Sequence, residues 1–87
     1  MNLYMNNKAK MKITVLFFGE LAEISGEHKI ELQDLNDTDV LNEALVLQFP
    51  KLKTKKYRLS LNRELINIPL VLSDGDEIAV LPPFAGG

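Results

Sequence analysis

The stretch DGDEIAVLPPFAGG, residues 74–87, decides the fold of this chain. It opens with a turn signal, because Gly75 tolerates a left-handed backbone and aspartate side chains bond locally to the main chain. Residues 77–81 then form a short apolar run, which is typical of a strand in the centre of a sheet. Pro82 and Pro83 fix φ and lack an N–H donor, so we expect them to end this strand and direct the next residues away from the sheet.

The two glycines that follow indicate a carboxylate presented to another protein. Gly86 and Gly87 have no Cβ, so they can pass through a channel too narrow for a side chain. We expect residues 82–87 to form an extended tail, which would reach roughly 20 Å, the depth of an enzyme cleft. The alternative is a frayed terminus that ends in small residues. The glycines alone leave both interpretations open.

Three further segments have the residue pattern of strands. Residues 12–18 are β-branched or aromatic on both faces, whereas residues 29–33 and 57–62 alternate apolar and polar side chains. Because the strands at 12–18 and 77–81 are the most apolar, we expect them to lie side by side at the centre of the sheet. The tail would then leave from the middle of the sheet rather than from an edge.

One main helix is predicted between the second and third strands. Residues 36–38 supply capping side chains for a helix at about residues 39–49, which Pro50 ends. A shorter helical turn is predicted at residues 19–26. The apolar stripe of the main helix is predicted to contain Val40, Leu41, Ala44, Leu45 and Leu47. Strands around one main helix indicate an α+β fold of two layers over residues 11–81.

Composition limits the classes of function. The chain has 87 residues, 46% of them hydrophobic, which suits one small domain with a single core. A net charge of −2 argues against a general nucleic-acid binder. The absence of cysteine excludes disulfides, thiolate metal sites and cysteine nucleophiles. No apolar run approaches the ~20 residues that span a bilayer, so we expect no membrane partner. The absence of cysteine is compatible with a reducing cytoplasm, and we expect a cytoplasmic location.

Residues 1–10 are polar and have no clear period. They lack the apolar stretch of a signal peptide, which argues against export. We interpret them as a flexible N-terminal extension, with a structural role as the alternative. A variant that starts at Met11 is expected to keep its thermal stability.

No residue pattern predicts a catalytic or metal site within the chain. Residues 51–58 hold five of the ten basic side chains, which favours a solvated loop, with an acidic partner or an RNA contact as alternatives. His28 is the only histidine, so a metal site is not expected. The acidic residues at 74–77 lack the spacing of a calcium loop and are better explained by the turn.

Two segments together resemble a known family. Residues 74–87, with their DGDE turn, apolar strand, double proline and Gly-Gly, and VLFFG at residues 15–19 resemble the small, sulfur-carrying subunit of molybdopterin synthase. The resemblance covers residues 11–87 and implies the ubiquitin-like β-grasp fold, a mixed sheet packed on one main helix. Related carriers for thiamine synthesis and tRNA thiolation share the Gly-Gly but usually lack the double proline. Phe84 stands where the family more often has a smaller aliphatic residue.

The resemblance implies that sulfur is carried on the Gly87 carboxylate. An adenylyltransferase similar to ubiquitin-activating enzymes would transfer AMP from ATP to this carboxylate, and a persulfide donor would then supply sulfur to give a thiocarboxylate. The sulfur would pass to cyclic pyranopterin monophosphate within the synthase, a heterotetramer of two carriers and two large subunits. The tail inserted in the large subunit would comprise Pro82, Pro83, Phe84, Ala85, Gly86 and Gly87. No cofactor on this chain and no catalysis by this chain alone are expected, since ATP is used by the activating partner.

Strand alternation predicts where a partner docks. The main helix should cover the sheet face that bears Ile13, Val15 and Phe17. The opposite face, which no predicted helix covers, would present Leu16, Phe18, Ala79 and Leu81, and clustered exposed apolar residues indicate a protein interface. The resemblance adds Leu65, so the predicted interface residues are Phe18, Leu65 and Leu81. The alternative is that residues 66–72 fold over this face and bury it.

Three other functions remain open at this point. The chain could carry sulfur for thiamine synthesis or tRNA thiolation, which the identity of the sulfurated acceptor would reveal. It could be a ubiquitin-like modifier, for which the activated Gly87 would be attacked by a lysine amine. It could also be an interaction module whose tail is incidental, in which case deletion of Gly87 would have little effect.

Overall fold

A five-stranded mixed sheet packed on two helices forms the fold, seen in a computed structural model that describes residues 11–85. The predicted extension at residues 1–10, Gly86 and Gly87 lie outside the described residues. The elements in chain order are β1 (Lys12–Phe17), α1 (Glu20–Ser25), β2 (Lys29–Gln33), α2 (Thr38–Gln48), a 3₁₀ helix (Pro50–Thr54), β3 (Arg58–Leu61), β4 (Glu64–Leu65) and β5 (Glu77–Leu81). The predicted α+β class and its single main helix are confirmed, and the four predicted strands and two helices occur in the predicted order. The structure adds the 3₁₀ helix and the two-residue strand β4, which were not predicted.

Strand β5 lies at the centre of the sheet, whose order is β2-β1-β5-β3-β4. It pairs in parallel with β1, with Val15 opposite Ile78, and antiparallel with β3, with Leu59 opposite Val80. The prediction that the first and last strands are neighbours at the centre is therefore confirmed. Because both neighbours of β5 hold its backbone, the chain after Leu81 leaves from the middle of the sheet.

The hydrophobic core lies between the sheet and the two helices. Its members are at most 3% exposed, and each such side chain stabilises the fold by roughly 1.5–3 kcal/mol relative to an exposed position. Phe17 also contacts Phe49 edge to face, with the ring centroids 5.5 Å apart. The buried apolar residues are Ile13, Val15, Phe17, Leu21, Leu41, Leu45, Leu52, Leu72, Ile78 and Val80.

Helix α2 begins as predicted but buries a narrower stripe. The Asp37 carboxylate accepts a hydrogen bond from the Val40 N–H at 2.8 Å and caps the helix. The prediction that Val40 and Leu47 belong to the apolar stripe is wrong, since they are 41% and 82% exposed. The helix meets the sheet along Thr38, Leu41 and Leu45, and the helical period turns residues one or two positions away toward solvent.

The segment after Pro50 is ordered, in contrast to the loop predicted there. It forms the 3₁₀ helix, in which the Thr54 hydroxyl donates to the Lys51 carbonyl at 2.8 Å. Leu52 is 1% exposed and joins the core, whereas Lys51 and Lys53 face solvent. A single apolar residue among lysines therefore fixes this segment to the body.

Residues 66–72 run beside α2, on the helix side of the sheet. Thr38 is bonded twice to Leu70, because its N–H donates to the Leu70 carbonyl at 2.9 Å and its hydroxyl accepts from the Leu70 N–H at 3.0 Å. The Leu72 N–H donates to the Asn36 carbonyl at 2.9 Å, and the Leu72 side chain is buried. These bonds keep the segment away from the opposite face of the sheet.

The turn before β5 has the form expected from its acidic residues. The Asp76 carboxylate accepts from the Ser73 N–H at 2.7 Å, and that of Asp74 accepts from the Lys12 N–H at 2.8 Å. Gly75 has a φ of 88°, which an L-residue rarely adopts. Among residues 11–85 no cluster of acidic or histidine side chains is arranged to hold a metal ion, and no helix there is long and apolar enough to cross a membrane.

Candidate functional site

One face of the sheet carries apolar side chains that none of the helices between residues 11 and 85 covers. The register places Leu16 opposite Ala79, Ala79 opposite Ser60, and Ser60 opposite Leu65. These positions alternate with the core residues, so their side chains lie on the side of the sheet away from the helices. With Phe18 and Leu81 they line a groove of about 410 Å³. We call this surface the open face, and its apolar members are Leu16, Phe18, Leu65, Ala79 and Leu81.

The side chains at the rim of the open face are partly exposed to solvent, whereas the side chain at its centre is buried. Phe18 is 45% exposed, and Leu65 and Leu81 are half-buried. Ala79 is buried, because its small side chain is flanked on the sheet face by Leu16 and Ser60 on the neighbouring strands. The alternative that residues 66–72 cover this surface is wrong, since that segment is bonded to the start of α2. The structure brings the three predicted interface residues together on one groove, and their role in binding stays a prediction.

Charged side chains at the rim of the open face were not predicted from the sequence. Arg63 and Glu77 line the groove together with the buried Ser60. Arg63 reaches this position from the tight turn between β3 and β4, where it has a φ of 74°. The strand alternation of Ser60 and Glu77 was a usable signal, but the position of Arg63 depends on the turn geometry. The groove therefore offers one positive and one negative group beside its apolar floor.

The root of the tail packs against the end of β1. The Phe18 N–H donates to the Val80 carbonyl at 3.1 Å, which continues the pairing of β1 with β5. The next residue, Gly19, has a φ of 57° and a ψ of −137° and begins α1. A Cβ at Gly19 would lie 3.0 Å from Pro82 Cγ. Glycine at this position therefore leaves room for the proline that starts the tail.

The first part of the tail forms a turn, in contrast to the extended conformation predicted for it. The Ala85 N–H donates to the Pro82 carbonyl at 3.0 Å, so residues 82–85 close a four-residue turn. Pro83 occupies its second position, where the fixed φ of proline favours a turn. Phe84 at its third position is 79% exposed. The reacting residue predicted from the sequence, Gly87, lies outside the described part of the chain, as does Gly86.

Comparison with known proteins identifies the family. The sequence matches the ThiS family over residues 15–87. The chain belongs to the ThiS family. Its resemblance to the sulfur-carrying subunits is confirmed by a Mycobacterium tuberculosis relative named molybdopterin synthase sulfur carrier subunit, 32% identical over 88% of this chain and 99% of the relative.

Two solved structures extend the similarity of this ThiS-family chain to the fold. The first belongs to a complex of subunits 1 and 2 of molybdopterin-converting factor from Helicobacter pylori. It has a TM-score of 0.67 and 32% identity over 88% of this chain and all of that one. The second is small archaeal modifier protein 1 from Methanosarcina acetivorans, with a TM-score of 0.70 and 25% identity over 91% of this chain and 99% of that one. The ubiquitin-like β-grasp fold expected from the resemblance is confirmed.

Proposed function

We propose that this chain is the sulfur-carrier subunit of a molybdopterin synthase and docks on its large subunit through the open face. The observation that carries the proposal is the continuity of Phe18 and Leu81 with the root of the tail, since Leu81 is followed directly by Pro82. A partner that covers these apolar side chains necessarily lies over the point where the tail leaves the sheet. Relatives that bear the name molybdopterin synthase sulfur carrier subunit support the same function.

The reacting atom in this proposal is the acyl carbon of Gly87. A carboxylate is a poor electrophile, so an adenylyltransferase first joins it to the α-phosphate of ATP and releases pyrophosphate. The terminal sulfur of a persulfide then attacks the acyl carbon and AMP leaves. Cleavage of the sulfur–sulfur bond by a thiol yields the thiocarboxylate, which donates sulfur to cyclic pyranopterin monophosphate. The activating enzyme, the persulfide donor, ATP as its substrate, a cytoplasmic setting and two carriers per dimer of large subunits are all parts of the proposal.

In this chemistry the chain positions the tail and supplies no catalytic side chain. The tail emerges from a strand that is held on both edges, so its root has a fixed direction relative to the open face. Residues 82–87 reach roughly 20 Å when extended, so the turn at residues 82–85 opens when the tail enters a partner. Catalytic groups for adenylation and sulfur transfer belong to the partner proteins.

The sulfur-carrying step is tested by intact mass. The full chain is incubated with the adenylyltransferase of the same genome, ATP and a persulfide donor. Exchange of one terminal oxygen for sulfur adds about 16 Da. The chain lacking Gly87 is the control and should gain nothing while keeping its melting temperature. The proposal would be contradicted if the mass of the full chain did not increase although the same adenylyltransferase was active on another carrier protein.

The docking surface is tested by a charge on the open face. Phe18→Asp places a carboxylate in the apolar contact, and loss of an anchoring aromatic residue commonly costs more than about 1.4 kcal/mol, which is tenfold in affinity. Leu47→Asp is the matched control, because Leu47 is 82% exposed on α2 and lies off the open face. Equal binding of both variants to the large subunit, measured by calorimetry, would remove the open face from the proposal.

A second function, attachment to lysine amines of other proteins, is favoured by the similarity to small archaeal modifier protein 1. It uses the same adenylated Gly87 with an amine in place of the persulfide. Gly-Gly remnants in isopeptide linkage on several proteins would support it. Sulfur delivery to a thiamine precursor or to tRNA is separated by offering each acceptor to the purified thiocarboxylate.

A further inference from the structure

A second concavity lies on the other side of the tail root from Gly19. It has a volume of about 620 Å³ and is formed by the first half of α2, the segment that leads into β3, residues 66–69 and the start of the tail. We call it the basic groove. The lining of the basic groove includes Lys55, Lys56, Tyr57, Arg58, Ile68 and Pro83.

The charge around the basic groove has the opposite sign to that of the rest of the chain. Residues 51–58 carry five basic side chains and no acidic one, whereas the remaining sequence has seven more acidic than basic residues. Asp39 is the one acidic side chain that lines the groove. Between residues 11 and 85, the 4.0 Å contact of Lys55 with Glu20 is the sole ion pair, and the Lys55 side chain remains 42% exposed. The positive charge of the groove is therefore available to a partner.

The wall of the basic groove is ordered by hydrogen bonds. The Tyr57 hydroxyl donates to the Asn42 side-chain carbonyl at 2.6 Å, which joins the start of β3 to α2. The Arg58 guanidinium donates to the Asn67 side-chain carbonyl at 2.9 Å. At the rim Ile68 is 67% exposed. The groove thus combines one oriented cationic group, that of Arg58, with an exposed apolar side chain.

The basic groove adjoins the tail. Arg58 pairs with Leu81 in the antiparallel ladder, so continuation of that register brings Lys56 opposite Pro83. Pro83 itself lines the groove. A protein that takes up the tail therefore comes close to the basic groove, which lies beside the tail on the helix side of the sheet.

We propose that the basic groove binds an acidic segment of the molybdopterin synthase large subunit, beside the opening through which that subunit receives the tail. This inference rests on the proposed function and adds an electrostatic contact to the apolar one. Complementary charge raises the rate of association more than it slows dissociation. Lys55, Lys56 and Arg58 would meet carboxylates, and Ile68 would contact an apolar side chain of the same segment.

The test compares two pairs of lysines. Lys55→Glu/Lys56→Glu reverses two charges in the groove, whereas Lys51→Glu/Lys53→Glu makes the same change in net charge on lysines that do not line it. Association and dissociation rates of the full chain with the large subunit are measured by surface plasmon resonance at about 0.05, 0.15 and 0.5 M salt, because screening lengths fall from above 10 Å to below 8 Å over this range. Thermal melts confirm that both variants are folded.

The expected result is an association rate about tenfold lower for the groove variant at low salt, with a difference from wild type that shrinks at high salt. The control variant should change by less than about threefold, through net charge alone. Equal association rates and salt dependence for the two variants would overturn the basic groove as a docking site while leaving the proposed function intact. Failure of the wild-type chain to bind the large subunit at any salt would overturn both.

Discussion

Substitution of Gly19 by alanine should destabilise the fold and also displace the root of the tail. Gly19 has backbone angles that only glycine adopts readily, and an alanine there costs about 1–3 kcal/mol of strain. Its Cβ would also lie 3.0 Å from Pro82 Cγ, against an ordinary carbon–carbon contact of about 3.5–4.0 Å. We therefore expect Gly19→Ala to lower the free energy of unfolding by about 3 kcal/mol, including about 1 kcal/mol from this contact.

Gly26→Ala provides the matched control. Gly26 also has a positive φ, 75°, but a Cβ there has no neighbour within 4 Å. Its expected loss is about 1–2 kcal/mol, from the left-handed backbone alone. Urea unfolding of both variants measures the difference.

The rate of thiocarboxylate formation distinguishes backbone strain at Gly19 from a change in the direction of the tail. In Gly19→Ala, Pro82 must shift by a fraction of an ångström, which changes the direction of the tail. We therefore expect the rate of thiocarboxylate formation to fall roughly 3- to 10-fold under conditions where the variant is folded. Gly26→Ala should retain the wild-type rate, since Gly26 lies away from the tail. Equal stabilities and equal rates for the two variants would refute the packing of Gly19 against Pro82 as the feature that directs the tail.

Two further predictions concern the body of the domain. Leu52→Ala should lower the free energy of unfolding by about 2–5 kcal/mol, because Leu52 is 1% exposed, whereas Leu47→Ala at an 82% exposed position should change it by less than about 0.5 kcal/mol. Urea unfolding would contradict this if the two losses were equal. Burial raises the pKa of the Tyr57 hydroxyl above its ordinary value of 10.0. The unfolded chain then loses this proton first, so the stabilisation is complete below about pH 10 and declines as the pH rises further. Tyr57→Phe should remove that decline from the stability profile between about pH 9 and 11, and a profile unchanged by the substitution would contradict the shift.

Alternation and turn chemistry were sufficient to predict four of the five strands of the sheet, but not the two-residue strand β4. The apolar character of residues 12–18 and 77–81 placed them together at the centre, and the strand period assigned Leu16 and Ala79 to the face opposite the helices. The capping role of Asp37 also followed from residue type, because short polar side chains accept backbone N–H groups at a helix start. These features depend on neighbours in sequence or on one strand pairing.

Features that depend on distant contacts were missed. Val40 and Leu47 are apolar, but their exposure depends on the width of the contact between helix and sheet. The sequence of the helix does not determine this width. Leu52 was overlooked because the lysines around it dominate the local pattern. The contact of Gly19 with Pro82 joins residues far apart in sequence, and no local signal separates it from an ordinary helix start.

The basic groove illustrates the same limit for the candidate site. Sequence showed that five basic residues cluster at 51–58, and it favoured a solvated loop, with an acidic partner or an RNA contact as alternatives. Only the pairing of Arg58 with Leu81 shows that this cluster ends beside the tail. The density of charge was visible in the sequence, whereas its position beside the root of the tail was a property of the fold.

The parallel pairing of β1 with β5 has a mechanical consequence. A pull on the tail acts along β5, and the hydrogen bonds to β1 and β3 on its two edges are loaded together in shear rather than opened one after another. If a partner draws in the tail, as the proposed function requires, the shear loading of β5 would keep the domain behind it intact. The proposed function would require the chain to pass between several enzymes, and a tail root loaded in shear suits such a carrier.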